Sequence, residues 1–327
     1  MSTGTTTGRT GDHDDAAGPA HGIPTRLLVH ALVREDGTVD AGELYTVAGV
    51  LGMTDQQVRL CLKRLVAEGR FTQDGRGRRA TLRAVADVTG ALAPDAAYVR
   101  HAYRQDRGLA PWDGTWHLFA FAVPESRRAA RDALREALLH LGAAPVQSGL
   151  YVTAHPVEAL VEAQARHLGV LDSLTFLTST DLRLGDLTEP PALAARLWPL
   201  EEIAARHDRL AALAEARLAE LDGGRHPDAP AATRVSGAEV KAATRRLTMA
   251  VELAAAFTRA MEPDPLLPPE LLPRPWPGAR ARRLAAACWT RLREAGRHDP
   301  EAPDLRLFRL YEDAFPPADG WAPPTEG

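Results

Sequence analysis

The stretch GMTDQQVRLCLKRLVAEGRFTQDGRGRRATLRA, Gly52 to Ala84, decides the fold of the N-terminal third. Thr54 is a helix N-cap residue, and Val58, Cys61, Leu62, Leu65 and Val66 recur at the i, i+3, i+4, i+7, i+8 spacing of one helix face. Gly69 closes that helix. The residues after it alternate around Gly75-Arg76-Gly77 and predict a two-stranded hairpin. Eight basic residues lie between Arg59 and Arg83 (Arg59, Lys63, Arg64, Arg70, Arg76, Arg78, Arg79, Arg83) against two acids, Glu68 and Asp74, a local balance of +6 in a chain of net charge −4. Only Lys63 and Lys241 are lysines among the 39 basic residues, so arginine abundance is general here and only its clustering is a signal.

Working upstream, IPTRLLVHALVRED predicts a first helix, and Asp40 caps a second running to about Val50, ended by Gly52. Three short helices followed by a basic hairpin are a winged helix-turn-helix. The third helix turns its apolar stripe to a small core and its other arc outward, with Gln56, Gln57, Leu60, Lys63 and Arg64 on that arc and Arg59 at its edge. Such a face fits the DNA major groove: Gln reads adenine, Arg reads guanine, and an apolar side chain meets a thymine methyl. Arg76, Arg78 and Arg79 on the hairpin suit phosphates or the minor groove. With Thr54 at the helix start, these form the candidate DNA-binding set. The alternative is a solvated basic hairpin on a protein-interaction winged helix, which leaves the coincidence of basic helix face and basic tip unexplained.

Composition is that of an ordinary globular protein, with 45% hydrophobic and 25% charged residues in 327. No apolar run approaches the ~18 residues of a membrane span, and residues 1–22 have no apolar signal-peptide core; they read as a disordered tail. Cys61 and Cys288 sit in apolar helical patterns and read as free thiols in a reducing cytoplasm.

Residues 87–111 predict a connecting helix. From Trp112 a new pattern begins: strand WHLFAFAVPE, helix SRRAARDALREALLHLG, two short strands in APVQSGLYVTAHP, helix VEALVEAQARHLG and strand SLTFLTSTDL. The order β-α-β-β-α-β is that of a ferredoxin-like unit, over residues 112–188, with parallel pairing and both helices on one face. The remainder, 189–327, is helical. LWPLEEIAARHDRLAALAEARLAEL reads as one helix, Ser236 and Glu239 as a capping box opening a second, and ARARRLAAACWTRLREAG as a third. Seven prolines between Pro263 and Pro277 impose a rigid extended connector before the third, and the tail after Phe315 reads as loose. The fold class is thus α+β: winged helix (23–86), ferredoxin-like domain, helical C-terminal domain.

Three stretches in this order resemble the PaaX family of bacterial repressors: MTDQQVRLCLKRLVAEGRF with GRGRRATLR, then WDGTWHLFAFAVPESRRAARDALREALLHLGAAPVQSGLYVTAHP, then DPLLPPELLPRPWPGARAR from Asp264. The resemblance covers about Thr25 to Leu292. It implies a central domain akin to the CRISPR protein Cas2, a homodimer on an inverted-repeat operator in double-stranded DNA, and release by an acyl-CoA, with phenylacetyl-CoA the known case. For such an effector, Phe257, Leu266, Leu267, Leu271 and Trp276 offer an apolar groove, and Arg259, Arg274, Arg280, Arg282 and Arg283 offer phosphate partners. The alternative is that the prolines only brace one helix against another. Ala256, Phe257, Thr258 and Arg259 stand where the family has Glu-aromatic-Arg-Arg, and Ala80 and Thr81 replace its wing-strand aromatic pair.

The competing class is a Cas2-like metal-dependent nuclease fused to a winged helix. Such an enzyme needs a carboxylate at the end of its first strand. Phe119–Val123 offers none; Asp113 precedes it and Glu125 follows it. The eleven histidines show no zinc spacing, and no phosphate loop or nucleophile elbow occurs. No catalytic residue, metal or cofactor is expected, and the middle domain is read as a dimerisation scaffold.

Overall fold

The computed structural model describes residues 23–85, 96–223, 236–297 and 305–307. The N-terminal tail, the C-terminal tail after Phe315 and the first part of the connecting segment lie outside the described residues, as do the side chains of Ser236 and Glu239.

The first unit contains α1 (Thr25–Ala31), β1 (Thr38–Asp40), α2 (Ala41–Val50), α3 (Asp55–Ala67), β2 (Phe71–Asp74) and β3 (Thr81–Ala84). Asp40 caps α2 by accepting the Glu43 N–H at 2.7 Å. Thr54 caps α3 in a full capping box with Gln57. Val58, Leu62 and Leu65 of α3 are buried as the stripe requires, but Cys61 is only half-buried and Val66 is 36% exposed. The expected two-stranded hairpin has a third member: β1 pairs antiparallel with β3, giving the order β1-β3-β2. Three residues with no hydrophobic periodicity could not announce a strand in advance. The β2–β3 connection is longer than a tight turn and holds a 3-10 turn, Gly77–Arg79.

α4 (Ala96–Asp106) leads into the central unit: β4 (Trp116–Phe121), α5 (Arg128–His140), β5 (Ala144–Gln147), β6 (Leu150–Thr153), α6 (Glu158–His167) and β7 (Leu174–Ser179). The sheet order is β5-β6-β4-β7. Every neighbouring pair is antiparallel, which corrects the expected parallel pairing. Each β-α-β crossover skips one strand, so parallel strands are never adjacent. β4 reads as continuously apolar because both faces of the sheet are covered. Phe119 and Tyr151 pack with Leu134 and Leu138 of α5 and Val161 of α6; Trp116, Leu118 and Val152 pack on the other side with Leu193, Trp198 and Leu271. The β5–β6 turn needs Gly149, where φ is +75° and a Cβ would stand 2.6 Å from the Phe121 carbonyl oxygen.

The C-terminal part is α7 (Pro190–Leu197), α8 (Leu200–Gly223), α9 (Ser236–Met261) and α10 (Pro277–Arg297). The expected single helix after Leu197 begins only at Leu200. Trp198 precedes Pro199 and is driven to extended backbone, φ −116° and ψ 147°, which separates α7 from α8. The proline-rich connector forms no α-helix or strand; it is irregular, with one 3-10 turn at Pro269–Leu271, a cis Arg274–Pro275 peptide bond and Leu266 at φ 50°, and so is less uniformly extended than expected. One buried cluster is continuous from Ile23 through α1–α3 and α4 into α8–α10 and on to Leu307, so the N-terminal unit shares its core with the C-terminal helices. Helix α9 packs on both α1 and α2.

Candidate nucleic-acid interface

Helix α3 is held by its buried stripe and presents the opposite arc to solvent. Gln56, Arg59, Leu60, Lys63 and Arg64 are all exposed, and Leu60 is 50% exposed, a large apolar side chain amid charges. Gln57 is half-buried, and its Oε1 accepts the Thr54 N–H at 2.8 Å while the Thr54 hydroxyl oxygen accepts the Gln57 N–H at 3.2 Å. Thr54 and Gln57 therefore build the helix start, and Gln57 is less available than Gln56 for contact outside the chain.

Arg76, Arg78 and Arg79 are exposed on the β2–β3 connection. Arg78 is tied down: Nη2 donates to both carboxylate oxygens of Asp55, at 3.2 and 3.3 Å, and the guanidinium lies 5.1 Å from the Tyr45 ring centroid. The 3-10 turn also docks on α2, where the Ala41 N–H donates to the Ala80 carbonyl at 3.0 Å. The connection is thus fixed to the first turns of α2 and α3, and helix arc and basic turn form one surface. Sequence reading placed Arg78 with Arg76 and Arg79 as a contact for phosphates or the minor groove; its Asp55 and Tyr45 contacts are long-range and carried no local signal.

The electrostatics of this surface are one-sided. Among the described residues Arg59, Lys63, Arg64, Arg76 and Arg79 have no ion-pair partner. Beneath it, His30 is 2% exposed and packs on Phe71 at 5.5 Å between ring centroids. Burial, then Arg26 and Arg70, push its pKa down from 6.5 to about 4, so the ring is neutral at pH 7.

The candidate effector residues fall into separate clusters. Phe257 is fully buried in the core shared with α1–α4, whereas Trp276 packs against the sheet-side cluster with Leu267 and Leu271. Arg280 donates to Glu215 at 2.5 Å, Arg259 and Arg274 are exposed, and Arg282 is buried. Arg282 is bidentate on Asp106, at 2.6 and 2.7 Å, with Asp264 at 3.7 Å; Asp264 in turn receives His207 Nε2 at 2.7 Å and the Leu266 N–H at 2.8 Å. The node ties the proline-rich connector, through Asp264, to α4, α8 and α10, and Arg282, one of the five arginines offered for phosphate, is engaged inside the chain.

The two carboxylates that flank the first central strand in sequence are also engaged. Asp113 accepts the Thr115 N–H at 2.8 Å, which holds its carboxyl below the usual range, and Glu125 takes Arg131 at 2.7 Å. Among the described residues no group of three His, Cys, Asp or Glu could hold a metal ion, and no helix is long and apolar enough to cross a membrane.

Comparison with known proteins gives matching family models for two segments. Residues 109–192 match the PaaX protein central Cas2-like domain, and residues 198–300 match the PaaX-like protein C-terminal domain. Among solved structures, the chain is similar to the uncharacterized protein Rv0674 from Mycobacterium tuberculosis, at 23% identity and a TM-score of 0.43, over 82% of this chain and 95% of that one. No curated protein matches. Matched by both models in sequence order, over more than half of its length, the chain belongs to the PaaX family of transcription regulators.

Proposed function

We propose that the protein is a sequence-specific DNA-binding repressor whose winged helix, residues 23–86, reads double-stranded DNA. The observation that carries this reading is the set of five unpaired cations, Arg59, Lys63, Arg64, Arg76 and Arg79, on a single surface. In a chain that pairs most of its interior arginines, five bare cations on one face are matched to a polyanion. Gln56, Arg59, Leu60, Lys63 and Arg64 meet base edges and nearby phosphates, Arg76 and Arg79 meet phosphates, and Arg78 fixes the wing to α3. One such module buries a small interface, so a homodimer over an inverted repeat supplies the rest. Light scattering with operator DNA checks this: two chains per site are expected, and a monomer both free and bound contradicts it.

Release by an aryl-acyl-CoA such as phenylacetyl-CoA rests on the family resemblance. Operator displacement by phenylacetyl-CoA, at concentrations where free CoA displaces nothing, is the expected result. Intact operator binding with no response to any CoA ester would leave a DNA-binding repressor with another signal. For DNA binding itself the test is titration of operator and scrambled duplexes: Gln56→Ala and Arg59→Ala reduce discrimination by ~1–3 kcal/mol per base contact.

A further inference from the structure

A cleft of about 480 Å³ opens where α2 meets α8 and α9. Its volume lies in the range of small-molecule sites, roughly 300–1,000 Å³. None of its lining residues belongs to the DNA-facing arc or to the proline-rich connector.

One part of the wall is charged and nearly self-neutralised. Arg217 of α8 reaches Glu252 at 2.7 Å and Glu220 at 2.5 Å, and Arg245 of α9 donates to the other oxygen of Glu220 at 2.9 Å. Two guanidiniums and two carboxylates cancel. Lys241 is the remaining charge, exposed, and among the described residues it has no ion-pair partner. The lining therefore carries a single surplus positive charge.

The other part is apolar. Val50 of α2 is 58% exposed, and Met249 of α9 lies behind it at 4%. Two threonines in the lining have their hydroxyls occupied: Thr46 donates to the Gly42 carbonyl at 2.8 Å and Thr248 to the Thr244 carbonyl at 2.9 Å. The methionine thioether is flexible and adapts to the shape it meets.

We infer that this cleft binds a small organic acid, with one carboxylate on the Lys241 ammonium and an aryl or alkyl body against Val50 and Met249. A polyanion is disfavoured, because charge beyond the first would face Glu220 and Glu252. The ligand is thus a different input from the CoA ester of the preceding reading. Its consequence is regulatory. The acid wedges α2 against α8 and α9, and α2 carries both the docked wing turn and, through Leu51–Thr54, the start of α3. Occupancy changes operator affinity by roughly 5–150-fold, the usual span for coupled sites. That regulatory half rests on the DNA-binding reading; occupancy of the cleft does not.

The test uses the full chain, with phenylacetate, octanoate and their CoA thioesters as probes in calorimetry. At least one acid binds at one site per chain, and more tightly than its thioester. Lys241→Met weakens it roughly tenfold to a hundredfold, as loss of a charged hydrogen bond does, while Lys241→Arg retains it. Val50→Asp removes binding through the apolar wall. Both positions are exposed, so thermal melting of the variants stays at the wild-type value. Absence of binding by either acid, binding indifferent to both Lys241→Met and Val50→Asp, or tighter binding of the thioester overturns the inference. Operator affinity is read separately with and without the acid. A wild-type chain that binds the acid but no DNA defeats the DNA-binding reading alone, and an acid that binds without changing operator affinity overturns the regulatory half.

Discussion

Two arginine-rich regions of this chain use the same side chain in opposite ways. Around α3 and the β2–β3 connection, Arg59, Arg64, Arg76 and Arg79 stand in solvent without a carboxylate partner among the described residues, and Arg78 is anchored to Asp55. In the C-terminal helices Arg217, Arg245, Arg280, Arg282 and Arg291 each end on a carboxylate of α4, α8, α9 or α10. Guanidinium charge in the first region faces solvent, and in the second it ties helices together. Local sequence does not separate the cases: GRGRR and GARARR look alike, and only the elements packed opposite decide which is which.

The comparison breaks first at Arg282, where the largest effect is expected. Its side chain is 5% exposed and the Asp106 carboxylate 4%. Arg282→Met leaves Asp106 and Asp264 buried without their cation and should cost about 3–5 kcal/mol in urea unfolding, with the m-value unchanged. Arg59→Ala, by contrast, should stay within about 0.5 kcal/mol of wild type. Equal effects at the two positions would erase the distinction.

His30 sharpens the same contrast from below the cationic surface. Both ring nitrogens are buried with no hydrogen-bond partner. Its folded pKa of about 4 lies below the ordinary 6.5, so between these values the unfolded chain binds the extra proton. Stability contributed by the neutral ring is present above pH 6.5 and is lost as pH falls toward 4. His30→Met should stabilise by about 1–3 kcal/mol at pH 7 and flatten the decline across that window, as read from melting temperatures between pH 4 and 7. A variant whose decline matches wild type would assign the loss to other groups.

A smaller stability effect than at Arg282 or His30 belongs to Arg78. Its pair with Asp55 is more than half exposed, so Arg78→Ala should change stability by less than about 1 kcal/mol. It should still lower operator affinity, by loosening the wing, while leaving the salt dependence close to wild type. A slope lowered as much as by Arg76→Ala would make Arg78 a phosphate contact instead.

What could be read ahead follows from range. Caps at Asp40 and Thr54, the α3 stripe, the β-α-β-β-α-β order and the bar to helix in the proline run are set by residues a few positions apart. Antiparallel β1 and the Asp55–Arg78 tether join residues distant in sequence, and the shared core of α9 with α1 and α2 and the Asp106–Arg282–Asp264 node join one module to another; in both cases periodicity is silent. Val66 shows the limit on a single helix: it has the spacing of the stripe, yet it is 36% exposed at the stripe's edge while Leu65 beside it is buried. Phe257 shows the converse: the aromatic that reads as a groove wall is fully buried in the core shared with α1–α4.

The most direct test of the account is the salt dependence of operator binding. For the wild-type chain and for Arg59→Ala, Lys63→Ala, Arg76→Ala and Arg79→Ala, log K is measured against log salt concentration. Each side chain that meets a phosphate contributes a slope of about 0.9, so the slope should fall by about that amount in the wing variants Arg76→Ala and Arg79→Ala, with urea unfolding unchanged. Arg280→Ala in the paired region should leave the slope at its wild-type value. Slopes unchanged in the wing variants, or lowered equally by Arg280→Ala, would contradict the claim that the unpaired cations of α3 and the wing form the DNA-binding surface.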